Sequence, residues 1–217
     1  MAGAVPSIVN EPPGRSSLGQ MLRRCAALAA PCVLLAWCVG RPWRWFSWHP
    51  LLMSLAFVPA AGSGILRKRL GGRANTLAHG YTMVVALTLA LCGWYVIYTH
   101  KITLGKPHYT SWHAWQGLLA LAGYGAGAAG GLIGLHPDMG RCTASRPLRL
   151  VHKLSSRTAT VAALVALGSG YAKLADPYTP PVVAVALLAL AVALSLFERP
   201  MPIRRRIAAS AGEAHSV

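Results

Sequence analysis

Histidine is the residue type in this chain with the most chemistry to offer. Four of the eight histidines stand at the starts of successive apolar stretches. They are His49 in Ser47-Trp48-His49-Pro50, His79 in Leu77-Ala78-His79-Gly80, His113 in Ser111-Trp112-His113-Ala114 and His152 in Leu150-Val151-His152-Lys153. An imidazole serves near neutral pH as a proton carrier or a metal ligand. Taken singly, a histidine near a helix end is more often an interfacial polar residue than a ligand. Four at matching positions are harder to explain that way. Paired imidazoles from facing helices are how a bundle holds a haem with both axial positions filled. Such an iron has no open position, so it passes electrons rather than binding a reactant.

Other chemistry is poorly represented. The five carboxylates, Glu11, Asp138, Asp176, Glu198 and Glu213, fall in tails, loops or at a span end. A proton pump or ion-coupled transporter normally keeps an acid within its bundle, so that class is weakened. There is no glycine-rich nucleotide loop, no Ser/His/Asp arrangement and no H-E-x-x-H. Cys25, Cys32, Cys38, Cys92 and Cys142 form no C-x-x-C pair, which leaves them as small apolar fillers. No side chain is marked as a catalytic acid, base or nucleophile.

The elements that must position the histidines follow from composition. The 217 residues are 54% hydrophobic and 12% charged, with 21 Lys+Arg against 5 Asp+Glu, a formal net charge of +16. Soluble domains carry about 25% charged residues. A nucleic-acid binder this basic would be rich in polar contacts. Apolar bulk with sparse cations instead describes an all-α integral membrane protein whose cations sit in its loops. Six apolar stretches, about 25–39, 47–64, 79–99, 111–135, 151–172 and 180–197, give a six-helix domain over 23–199. It is flanked by a disordered tail over 1–22 and a basic tail over 200–217. Pro59 interrupts the second stretch, which membrane helices tolerate. The first could be a signal peptide after Arg23-Arg24, but no small-x-small cleavage site follows it.

Sorting the cations by alternate loops places sixteen on one side and five on the other. Cations concentrate on the cytoplasmic side, so both termini are predicted there. His49 and His113 then fall near the outer face, and His79 and His152 near the cytoplasmic face. Two sites at opposite ends of a core about 30 Å thick would lie on the order of 20 Å apart. Gly117, Gly123, Gly125, Gly127, Gly130, Gly131 and Gly134 crowd the fourth stretch. They suit either close approach of a flat macrocycle or small-xxx-small helix packing through Gly123/Gly127 and Gly127/Gly131. Arg73, Arg149 and Lys153 inside, and Lys106, Tyr109, Thr110 and Ser111 outside, are available to haem propionates.

Phe46-Ser47-Trp48-His49-Pro50-Leu51-Leu52-Met53, the His79-Gly80 step, Ser111-Trp112-His113-Ala114-Trp115-Gln116-Gly117 and Leu150-Val151-His152 resemble the four histidine motifs of the cytochrome b561 family. The resemblance covers roughly residues 25–200. The Phe-Ser-Trp-His-Pro wording and the loop from His100-Lys101 to Gly105-Lys106-Pro107-His108 look most like the cytochrome b561 domain-containing subgroup, types 1 and 2. It implies six transmembrane helices with a four-helix di-haem core and two haem b. His49 with His113 would hold the outer haem iron, and His79 with His152 the cytoplasmic one. It further implies electron flow from cytoplasmic ascorbate to monodehydroascorbate radical or ferric iron, a homodimer, and endoplasmic reticulum or vesicle membranes.

The chain departs from the family near its inner end. Better-known members carry a cation three residues before the second ligand, where Thr76 stands here, and a histidine six after it, where Val85 stands. Arg73 lies six before His79, and Arg149 and Arg146 lie three and six before His152. Arg73, Arg146 and Arg149 are therefore the candidates for ascorbate, with Lys106 and His108 for the outer acceptor. Two other classes stay open at this level. One is a haem-free transporter with histidine relays, and the other a b-type subunit donating electrons to a partner protein.

Overall fold

The computed structural model describes residues 42–174, which form four long helices. We label them α1 (Trp45–Leu70), α2 (Arg73–Thr103), α3 (Trp112–Leu135) and α4 (Arg146–Leu174). The apolar stretches at 25–39 and 180–197, and both tails, lie outside the described residues. Each helix α1 to α4 overlies one of the four remaining stretches; α1, α2 and α4 run past theirs, while α3 matches its own to within a residue. Arg67-Lys68-Arg69 continues α1, and Arg73 opens α2. Hydropathy marks where a helix meets the bilayer, not where its hydrogen bonds stop.

Three of the helices, α1, α2 and α3, are long and apolar enough to cross a membrane. The 29-residue α4 is not among them. Its first half carries Arg146, Arg149, Lys153 and Arg157, and the rest is rich in Ser, Thr, Ala and Gly. It is nonetheless well packed, burying Ala159, Ala162, Ala163, Ala166, Leu167 and Tyr171.

The helices run up and down as a closed bundle, α1 against α2, α2 against α3, α3 against α4, and α4 back against α1. Small residues make the seams, among them Ala56, Ala61, Ala86, Ala90, Ala120 and Ala159. Without a hydrophobic drive between helices in lipid, close backbone approach and van der Waals contact must hold the pairs. A Cβ placed on Gly123 would lie 2.5 Å from that of Ala159, and one on Gly134 would lie 2.6 Å from Leu148 Cδ2. Gly127 would meet Ser156 Oγ at 3.3 Å. These glycines are thus the α3 side of the α3–α4 seam, as small-xxx-small packing requires.

Local chemistry sets the helix ends and bends. Gly71 and Gly72 turn α1 into α2 with φ of 73° and 82°, a region that residues with a Cβ rarely enter. Ser111 caps α3, its Oγ accepting the Ala114 N–H at 3.4 Å. Pro59 has no N–H, and around it α1 widens to a π turn over Ala56–Ala60, in which the Ala61 N–H reaches the Ala56 carbonyl. A second π turn, Gly130–Leu135, ends α3. Such insertions re-satisfy backbone groups and recur at functional sites.

Candidate functional site

The structure brings the four histidines together as two groups at opposite ends of the bundle. At one end His49 of α1 and His113 of α3 face each other, with ring centres 6.2 Å apart and planes at 87°. An imidazole nitrogen sits about 2 Å from a bound metal and roughly 1 Å from its own ring centre. Two imidazoles sharing one iron axially therefore have centres about 6 Å apart. The spacing fits.

The ring nitrogens fit as well. His49 Nδ1–H donates to the Gly93 carbonyl of α2 at 2.9 Å, and His113 Nδ1–H to the Ala166 carbonyl of α4 at 2.9 Å. A carbonyl only accepts, so the proton is held on Nδ1 and the Nε2 lone pair is left for a metal. All four helices thus contribute at this end, two with imidazoles and two with the carbonyls that orient them. Ser111 caps α3 two residues before His113, which fixes the turn that carries that imidazole.

Both rings line a cavity of about 360 Å³, a size usual for small-molecule and cofactor sites. Phe46, Met53, Trp94, Leu121 and Leu167 give it apolar walls. Gly117 lines it with open space where a Cβ would stand, while a Cβ on Gly170 would press within 2.9 Å of His113 Cε1. The glycines of the fourth stretch therefore divide. Gly117 faces the cavity, and Gly123, Gly127 and Gly134 face α4.

The mouth of the cavity is cationic and aromatic. Lys101, His108, Tyr109 and Lys173 line it. His108 stacks on Tyr98 with ring centres 4.6 Å apart, and Tyr98 stacks on Trp94 at 5.1 Å. Tyr109 is held at φ 54°, a left-handed conformation uncommon outside glycine. Its hydroxyl accepts the Trp94 indole N–H at 3.3 Å. Lys106 belongs to the same loop but does not line the cavity. Lys101 and Lys173 do, although the sequence distinguishes neither from an ordinary loop cation. Lys173 reaches the mouth because the last turn of α4 lies beside the first turn of α3.

At the other end His79 Nδ1–H donates to the Gly64 carbonyl of α1 at 3.0 Å. His79 lies within electrostatic reach of both His152 and Lys68. His152 differs from the other three, since its Nδ1 is buried without a hydrogen-bond partner. A Cβ on Gly131 would stand 3.5 Å from His152 Cε1, which is ordinary contact. The cations expected here are distributed unevenly. Arg73 is engaged by Asp138, donating to Oδ1 from Nη2 at 2.7 Å and from Nε at 3.0 Å. Arg149 is exposed and lies within electrostatic reach of Lys68. Arg146 is exposed at the start of α4.

Among the described residues no group of three or more His, Cys, Asp or Glu converges as a metal site. Isolated pairs of imidazoles suit a metal whose remaining ligands come from a macrocycle, and suit an all-protein site poorly.

Residues 48–175 match the model of the eukaryotic cytochrome b561 family. The chain is 34% identical over 155 residues to transmembrane reductase CYB561D2 of Bos taurus, covering 64% of this chain and 69% of that protein. The identity is 32% over the same length with CYB561D2 of Homo sapiens. It is 30% over 164 residues with probable transmembrane reductase CYB561D1 of Mus musculus, covering 69% of this chain and 70% of that protein. With three helices fit to cross a bilayer and a family match over more than half its length, this chain is a multi-pass membrane protein and belongs to the cytochrome b561 family.

Proposed function

We propose that this protein is a transmembrane oxidoreductase that carries electrons from cytoplasmic ascorbate to monodehydroascorbate radical or ferric iron on the outer side. Two haem b groups, one at each end of the bundle, would supply the one-electron chemistry when bound. His49 and His113 would hold the outer group, and His79 and His152 the cytoplasmic one. The observation that carries this reading is the His49–His113 pair, 6.2 Å apart with each Nδ1–H tied to a carbonyl.

The chain's own part is to bind, orient and exclude water. The Gly93, Ala166 and Gly64 carbonyls fix three tautomers. The apolar walls of the outer cavity keep water from its interior, and His108, Lys101 and Lys173 at its mouth attract an anionic or chelated acceptor. The sixteen-to-five division of cations supports a cytoplasmic location for both termini and for the His79–His152 end. The family resemblance supports a homodimer in endoplasmic reticulum or vesicle membranes.

Sealed vesicles test the whole reading. With ascorbate trapped on the cytoplasmic side, ferric chelate or monodehydroascorbate offered outside should be reduced. The purified protein should show two b-type components in its reduced-minus-oxidised spectrum. His113→Ala should remove the outer component and leave the other reducible by ascorbate. Colourless protein, or loss of both components in His113→Ala, refutes the assignment.

A further inference from the structure

One face of α4 is spent on the bundle, where Ala159, Ala162, Ala163, Ala166 and Leu167 are buried. Another face has no cover among the described residues. Leu154, Arg157, Thr158, Val161 and Val165 are all exposed and recur every three or four residues, so they form one stripe along the helix. In this mostly apolar stripe Arg157 is out of place. Ala159 lies against Gly123 and Ser156 against Gly127, and Gly123 stands eleven residues after Trp112 and twelve before Leu135, the two ends of α3. Arg157 is therefore level with the middle of a membrane span.

A bare cation facing lipid at that depth is costly, and intramembrane cations are accordingly paired. Arginines that snorkel to headgroups stand near helix ends, whereas Arg157 lies eleven residues, about 16 Å, inside the start of α4. Asp138 is the single carboxylate among the described residues, and Arg73 holds it at 2.7 Å. The acid must come from elsewhere. Leu174 lies seventeen residues beyond Arg157 at the outer end of α4, and residues 175–179 lead from it to the apolar stretch at 180–197. A segment that turns back there and runs antiparallel at the same rise comes level with Arg157 at about position 197. A turn two residues shorter or longer moves that level only between about 195 and 199. Glu198 stands in that window, while Asp176 falls in the turn and Glu11 and Glu213 in the tails. The other outlying stretch, 25–39, contains no acid and follows Arg23-Arg24.

We propose that the uncovered stripe of α4 is the docking face for residues 180–198 of the same chain, pinned by an ion pair between Arg157 and Glu198. The apolar residues of the stretch then cover Leu154, Val161 and Val165, and the carboxylate receives the guanidinium fork. This also accounts for α4 being the long helix that is not apolar enough to cross a membrane by itself, since the segment beside it takes the place of lipid. A pair removed from water on both sides makes either partner alone worse than neither.

The test is a double-mutant cycle on full-length protein in lipid nanodiscs, read as the apparent unfolding midpoint. Arg157→Leu and Glu198→Leu should each lower the midpoint by about 5 °C or more, because each strands the opposite charge. The chain carrying both changes should return to the wild-type midpoint or exceed it. Arg157→Glu and Glu198→Arg should likewise be harmful singly and recover when combined in one chain. Where a single variant does not accumulate in the membrane, that failure counts as its loss, and the double variant must restore accumulation.

A midpoint for Arg157→Leu at or above wild type overturns the proposal, since removing a cation that faces lipid is a gain. So do losses in the two single variants that simply add in the double, which shows that the residues are not partners. Co-expression of Arg157→Glu chains with Glu198→Arg chains separates one remaining occupant. Within one chain neither variant can be rescued by the other, so both stay destabilised. Recovery on co-expression overturns the proposal by assigning the cover of α4 to a second copy.

Discussion

Gly170 gives the sharpest handle on the outer histidine pair. A Cβ at this position would stand 2.9 Å from His113 Cε1 and 3.3 Å from its Nδ1, against the 3.5–4.0 Å optimum for carbon contacts. In Gly170→Ala the ring must therefore retreat by about 0.6 Å or more. A free imidazole would swing aside at little cost. This one is tied at Nδ1 to the Ala166 carbonyl at 2.9 Å, on the same helix as Gly170, and a retreat of that size stretches the bond to the edge of hydrogen-bond range.

Losing that bond costs about 1 kcal/mol, and overpacking a fitted site costs about 1–3 kcal/mol. If the other ring nitrogen ligates an iron shared with His49, most of this cost falls on cofactor binding. At 1.4 kcal/mol per decade, the outer haem should bind roughly tenfold to a few hundredfold more weakly. The assay is haem per chain, with amplitude and potential of each b-type component, in Gly170→Ala beside Gly131→Ala. The latter places its Cβ 3.5 Å from His152 Cε1 and should leave the inner component intact. A Gly170→Ala protein with both components at wild-type amplitude and potential refutes the view that His113 is a fixed ligand.

Three further outcomes test the scaffold. Gly123→Ala drives a Cβ into that of Ala159 and should destabilise the α3–α4 seam by about 1–3 kcal/mol. Thermal unfolding should show the loss, and Ala159→Gly in the same chain should recover much of it, the mark of coupled neighbours. Gly72→Ala places a side chain at φ 82°, ψ 161°, a region open essentially to glycine alone, and should cost about 1–3 kcal/mol. That loss should appear as a lowered unfolding midpoint. Asp138→Asn breaks an ion pair that is well exposed on both sides, so it should cost under about 1 kcal/mol, with the deficit shrinking as salt is raised.

The large features of this protein are legible because membrane insertion writes them in one dimension. A span must be apolar for about 20 residues, and cations must favour one side. Those two rules alone divide four histidines into two facing groups. What they leave out is azimuth. A helix that is apolar all round has no polar face to reveal which side meets its neighbour. Gly117 and Gly123 therefore look alike in sequence, although one faces a cavity and the other a helix.

The orienting carbonyls of Gly93, Gly64 and Ala166 are illegible for a different reason, since any residue carries a carbonyl and only interhelical register selects it. Lys68 combines both difficulties. Counted along the chain it is one cation among four near the α1–α2 turn, indistinguishable from Arg67 or Arg73. In space Arg73 is turned to Asp138 and Lys68 to Thr76. The residue three before His79 carries no charge of its own, yet a charge stands beside it. A reading made position by position along one helix misses that exchange, because the charge beside a residue depends on where the cation lies and not on which helix brings it.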